Sequence, residues 1–273
     1  MGKKNSQEAK NNDRRGGKEM KKGIDVARYQ QNINWDLVKS GGIDFAIIKA
    51  GGSDDGFYTD STYEKNYAGA KAVGMPIGAY YIVGPLCISK EDGIADAKRF
   101  LEQLKGKTFE YPVYIDLELT APKDKTGVTD AVIGFCETME QAGYYCGIYA
   151  SDVSGFADRL DLDRLTAYDK WVARYGSKPQ YVKTYGMWQY SSTGKIQGIG
   201  PAVDLDEAYM DYPEIIKSKG LNGFAKPQPE PEPVPEPQPE PEKQVLPKID
   251  ISIYDGKFSV LIDDHQYSGL LEE

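Results

Sequence analysis

Residues 111–119 read YPVYIDLEL, and the fold turns on how this stretch is read. Its Val, Ile, Leu and Tyr residues are those of a buried strand. Asp116 and Glu118 interrupt it, although burying a carboxylate without a partner is expensive. Alternate residues of a strand share a face. Tyr114, Asp116 and Glu118 therefore point one way, and Ile115, Leu117 and Leu119 the other. That pattern suits a sheet rolled into a barrel, with the apolar set toward surrounding helices and the acids inside, near the mouth where the strands' C-terminal ends gather.

Seven further short apolar runs flank it: GIDVARY (23–29), FAIIKAG (45–51), PIGAYYIV (76–83), CGIYAS (146–151), KWVARY (170–175), GMWQYS (186–191) and AVDLDEA (202–208). Between the early runs lie 59–74, 89–106 and 129–143, each opening with Ser, Thr or Asp as a cap and closing at a Gly. Strand-helix alternation implies parallel strands, and eight strands imply closure. The later connections, 175–184 and 192–201, are too short and too rich in Gly and Pro for a helical crossover. The expected fold is α/β: an irregular TIM-like barrel of eight strands and about five helices, with some of the last strands antiparallel.

The flanking segments differ in kind. Residues 1–22 carry eight Lys or Arg against three acids and almost no apolar side chains, and read as a disordered basic tail. The barrel is expected over 23–225. Residues 226–247, with nine prolines and five glutamates, read as an extended spacer at about 3.1 Å per residue. In 248–273, Asp255-Gly256 signals a type I′ hairpin that pairs Ile253 with Phe258, Ile251 with Val260 and Ile249 with Ile262. A lone hairpin is marginal in water, so this module is expected to bind cell wall or to self-associate into a homo-oligomer. His265 reads as a surface residue beyond it.

Composition narrows the chemistry. A net charge of -9 argues against nucleic acid as a partner. With His265 the only histidine and three cysteines lacking metal spacing, carboxylates are left to do acid-base work, the cysteines read as small buried thiols, and no cofactor is expected. No apolar run is long enough to insert in a membrane, and no signal-peptide core opens the chain. The protein is therefore expected to be made in the cytoplasm and, if it works outside the cell, to depend on release or non-classical export.

Asp25 in the first run and Asp204 in the eighth belong to strands that closure makes neighbours, so Asp25, Asp116, Glu118 and Asp204 converge on one cavity. Crowded carboxyls cannot all ionise, which leaves one as acid and another as base, the division glycosidic cleavage needs. Tyr80, Tyr81, Tyr149, Trp188 and Tyr190 fall near strand ends where sugar faces stack. Asp206 reads as a second mouth residue without a catalytic role. The same acids allow other readings: a metal-dependent hydrolase holding Mg²⁺ or Ca²⁺, a non-catalytic glycan-binding barrel, or structural acids satisfied by Arg28, Lys49 or Arg174.

GIDVARYQ, YPVYIDLEL, MWQYSS and VDLDEA, in this order and spacing, resemble the lysozyme-like muramidases of glycoside hydrolase family 25, many of them phage endolysins and bacterial autolysins, over about residues 22–213. The resemblance implies an eight-stranded, five-helix barrel that cleaves the β-1,4 bond between N-acetylmuramic acid and N-acetylglucosamine in peptidoglycan. It implies Glu118 as general acid, with Asp25, Asp116 and Asp204 as supporting carboxylates. Whether an aspartate or the substrate's own acetamido group attacks stays open. Ala27 stands where the first motif often has Ser.

Overall fold

The computed structural model describes residues 20–120, 124–226 and 247–270. The described residues fall into two compact units, 20–226 and 247–270. Residues 1–19 of the basic tail, 227–246 of the spacer and 271–273 lie outside the described residues.

The first unit is a closed barrel. Its strands are β1 (Lys21–Val26), β2 (Phe45–Gly52), β3 (Tyr58–Thr59), β4 (Ile77–Ile82), β5 (Val113–Asp116), β6 (Cys146–Ser151), β7 (Asp169–Ala173), β8 (Met187–Gly194) and β9 (Val203–Ala208). The order is β1-β9-β8-β7-β6-β5-β4-β2, with β1 pairing back onto β2 to close eight strands and β3 added beside β2. Parallel ladders run from β1 through β2, β4, β5, β6 and β7 to β8, whereas β9 is antiparallel to both β8 and β1. The short connection 192–201 thus has the expected effect and reverses β9, whereas 175–184, although too short for a helical crossover, joins β7 to β8 in parallel. β1 starts at Lys21, so Lys21 and Lys22 belong to the sheet and not to the tail.

Five α-helices accompany the strands among the described residues: α1 (Trp35–Ser40), α2 (Tyr63–Ala72), α3 (Lys90–Leu104), α4 (Lys125–Gln141) and α5 (Tyr212–Lys219). Their ends follow side-chain chemistry. Ser89 Oγ accepts from the Asp92 N–H at 3.2 Å and donates to Asp92 Oδ2 at 2.6 Å, a reciprocal cap. Asp124 caps α4 through the Gly127 N–H at 2.9 Å, five residues before the expected Thr129. α3 and α4 approach so closely that a Cβ on Gly93 would lie 1.9 Å from the Ala131 carbonyl oxygen.

Strand alternation sorts the apolar residues into two cores. Ile24, Ile48, Ala79, Ile115, Leu117, Ile148 and Val172 face the helices. Phe45, Ile47, Tyr114, Tyr149, Trp171 and Met187 fill the barrel's interior. Between β7 and β8 the chain crosses without a helix, anchored by buried Asp152. Its carboxylate accepts from the backbone N–H groups of Gln180, Tyr181 and Val182 and pairs with Arg174 at 2.7 Å.

The second unit is a three-stranded antiparallel sheet rather than a hairpin: β10 (Ile249–Tyr254), β11 (Lys257–Ile262) and β12 (His265–Leu270). The expected register holds, with Ile253 opposite Phe258, Ile251 opposite Val260 and Ile249 opposite Ile262. The added strand puts exposed His265 in the sheet, opposite Ile262. Among the described residues no helix is long and apolar enough to cross a membrane.

Candidate active site

At the barrel's mouth a cavity of about 320 Å³ is lined by Asp25, Asp116, Glu118 and Asp204, with Tyr80, Tyr149, Lys49, Gln189, Trp171 and Tyr175 among its walls. All four acids expected to meet are there. Asp25 sits on β1 directly opposite Asp204 on β9. Asp116 ends β5, and Glu118 stands two residues beyond it, open to solvent. The Arg159 guanidinium secures the segment after Glu118 by donating to the Thr120 carbonyl at 2.6 Å. Leu119 also lines the mouth instead of facing the helices, because the strand has ended and its alternation no longer applies.

The acids repel one another and are short of water. Burial pushes Asp25 well above the usual carboxylate range, and the charges of Asp206, Asp204 and Asp116 add to it. Burial and the neighbouring Glu118 charge do the same to Asp116. Asp204 is pushed up to about 6 by burial and by Glu118. Burial raises Glu118, while Lys49, the Tyr149 hydroxyl and Arg159 pull against that rise. Lys49 is buried and lies over the Tyr58 and Tyr80 rings at 5.7 and 5.9 Å.

Hydrogen bonds fix the floor of the site. Gln189 Nε2 donates to Asp25 Oδ2 at 2.7 Å, and its Oε1 accepts the hydroxyls of Tyr149 at 2.9 Å and Tyr175 at 3.1 Å. Asp116 Oδ1 is buried and receives no donor within the protein.

Of the five aromatics expected to bind sugar, the structure brings Tyr80 and Tyr149 to the cavity. Tyr81 is not there. It follows Tyr80 in β4 and so turns to the helices, packing on Phe100 and Phe135 and donating to Asp96 at 3.2 Å. Trp188 and Tyr190 pack on each other at 5.7 Å on the far face of β8, and Trp188 Nε1 donates to the Arg174 carbonyl. Gln189, between them, points in; alternation applied to β8 would have found it. Asp206 is no mouth residue, being fully buried beneath Asp204 with Oδ1 accepting from Trp171 Nε1 at 2.8 Å. Arg174 serves Asp152 instead of the acids, and Arg28 leans on exposed Tyr29. Among the described residues no group of three or more His, Cys, Asp or Glu is arranged to hold a metal ion.

The sequence pattern of Glycosyl hydrolases family 25 matches residues 24–199, a span that includes Asp25, Asp116 and Glu118. The chain belongs to glycosyl hydrolase family 25. An autolytic lysozyme of Clostridium acetobutylicum is 30% identical over 193 residues, covering 68% of this family 25 chain and 55% of the relative. The chain thus spans little more than half of that relative's length. A family 25 glycosyl hydrolase from Bacillus anthracis superposes with a TM-score of 0.60 at 26% identity, covering 72% of this chain and 92% of the other. The modular autolysin LytC of Streptococcus pneumoniae, solved with a synthetic peptidoglycan ligand, superposes with a TM-score of 0.62 at 27% identity over 71% of this chain and 48% of its own. In this family 25 barrel, Asp204 lies just beyond the matched segment and is joined to it by the β1–β9 ladder.

Proposed function

We propose that the barrel is an N-acetylmuramidase, a lysozyme that hydrolyses the β-1,4 bond between N-acetylmuramic acid and N-acetylglucosamine in bacterial peptidoglycan. The observation that carries this reading is the gathering of Asp25, Asp116, Glu118 and Asp204 from three parts of the chain around one cavity. The family relationship supports it, as do the lysozyme name of the Clostridium relative and the peptidoglycan ligand of LytC. Glu118, open to the substrate and raised, donates its proton to the leaving glycosidic oxygen. Asp116, whose side chain lines the cavity, accepts the N–H of the sugar's acetamido group. That acceptor favours attack by the acetamido oxygen on the anomeric carbon over attack by an aspartate.

Purified peptidoglycan digested with wild type and with Glu118→Gln tests the assignment. The wild type is expected to leave muramic acid reducing ends in the presence of EDTA, and the variant to lose at least about a hundredfold in rate. Equal activity of the variant, or glucosamine ends, overturns the assignment.

We infer a second role for the C-terminal sheet, self-association. Ile249, Ile251 and Ile253 are 53%, 66% and 65% exposed and share a face with Phe258, Val260 and Ile262. A single sheet with an uncovered apolar face needs a second layer, and a second copy offers a matching one.

A further inference from the structure

Asp206 is a fully buried acid beneath the cavity. It lies two residues past Asp204 on β9, on the same face and one layer further from the mouth, where its ladder partners are Gly23 on β1 and Gln189 on β8. Its Oδ1 accepts from Trp171 Nε1 at 2.8 Å, while its Oδ2 is buried and receives no donor. Asp25, two residues past Gly23 on β1, is its diagonal neighbour on the same face of the sheet, and each carboxyl acts on the other.

The surrounding hydrogen bonds leave little freedom in how that contact is made. Two phenolic hydroxyls, from Tyr149 and Tyr175, occupy Gln189 Oε1. The amide must therefore present its Nε2–H₂ to Asp25, whose Oδ2 accepts it at 2.7 Å. Each carboxyl thus has one oxygen committed to an N–H donor. The remaining two oxygens are both acceptors, and two acceptors make a hydrogen bond only with a proton between them. The other charges facing the pair, Asp204 on β9 and Asp116 at the end of β5, are also acidic, which favours holding that proton.

We propose that Asp206 is a positioning residue that shares one proton with Asp25. The pair then carries a single negative charge, and Asp25 is held between Gln189 and Asp206 with its position toward the substrate defined. No bond is made or broken at Asp206, and the shared proton stays in the pair through turnover. The kinetic part of the test rests on the muramidase reading.

The test compares Asp206→Ala with Asp206→Asn, whose amide can keep the Trp171 bond through its oxygen and offer Asp25 an N–H in place of the shared proton. Asp206→Ala is expected to lose about thirtyfold or more in kcat on soluble peptidoglycan fragments with KM within about threefold, and Asp206→Asn to recover at least about tenfold of that loss. Asn as poor as Ala, or an Ala variant within about threefold of wild type, overturns the proposal. Infrared spectra at pH 7 need no substrate: the wild type minus folded Asp206→Asn difference is expected to show the C=O stretch of one protonated carboxyl that the variant has lost. A spectrum unaltered by the substitution overturns the shared proton whether or not the barrel is a muramidase.

Discussion

Asp25 and Asp204 stand directly opposite each other in the antiparallel ladder between β1 and β9. Like charges on facing positions destabilise a sheet. The arrangement therefore opposes folding and serves the cavity. Burial and Glu118 push Asp204 up to about 6, above the roughly 3.9 of an unfolded aspartate. A raised carboxyl contributes its full stability below the unfolded value and loses it as pH climbs through the folded one. Asp204→Asn should melt higher than wild type at pH 8, by on the order of 1 kcal/mol once solvent screening at this half-buried site is allowed for. The gain should vanish near pH 4, and activity should fall at least about tenfold. Melting curves at the two pH values check the sign, and an unchanged or lower melting temperature at pH 8 would remove the repulsion argument.

Lys49 supplies positive charge at the same site, buried on β2 and lying over two tyrosine rings. It opposes the rise that burial imposes on Glu118 and Asp116. Replacing it with Met should let both carboxyls rise further. With Glu118 as the proposed general acid, which works protonated, the alkaline limb of the kcat profile should move to higher pH, whereas Lys49→Arg should leave it near the wild-type position. A limb that moves down, or stays fixed in Lys49→Met, would show that Lys49 does not tune the acid.

Tyr80 and Tyr81 are neighbours on β4 with opposite duties. Tyr80 lines the cavity and meets Trp171 edge-on at 6.1 Å, while Tyr81 faces α3 and α4. Tyr80→Ala should lower kcat/KM by about tenfold, mainly through KM. Tyr81→Phe should leave the kinetics alone and cost about 1 kcal/mol of stability through its lost bond to Asp96. Parallel kinetics and denaturant melts on both variants separate the two cases.

That pair also shows how far sequence reasoning reaches. The strands, their parallel order and the reversed last strand were legible because apolar runs and loop lengths are local features. The four acids were legible because alternation and closure together place them. Tyr81, Trp188 and Tyr190 are aromatic and near strand ends, but the period of two turns each of them away from the cavity. Gln189 and Asp206 act through bonds to Asp25 and Trp171 from distant strands, and no local pattern announces such partners. β12 carries no strand signal of its own because HQYSGL is largely polar and its pairing to β11 comes from the hairpin beside it.

The C-terminal sheet gives the last prediction. Its exposed isoleucines line one face of β10, and Phe258 on β11 lies over Gly269 of β12, where a Cβ would meet the ring at 2.6 Å. Cross-strand packing of that kind sets register but leaves the apolar face uncovered. A second copy would cover it, so removal of 227–273 should convert an oligomer to a monomer in sedimentation. The barrel has its own closed hydrogen-bond ladder and two cores, so the shortened chain should still cleave soluble peptidoglycan fragments within about twofold of the full chain. Ile251→Asp alone, a charge at the centre of the face, should have the same effect on size. If both variants sediment as the full chain does, the sheet does not join copies; if cleavage of soluble fragments collapses with the deletion, the barrel is not the self-sufficient unit its packing implies.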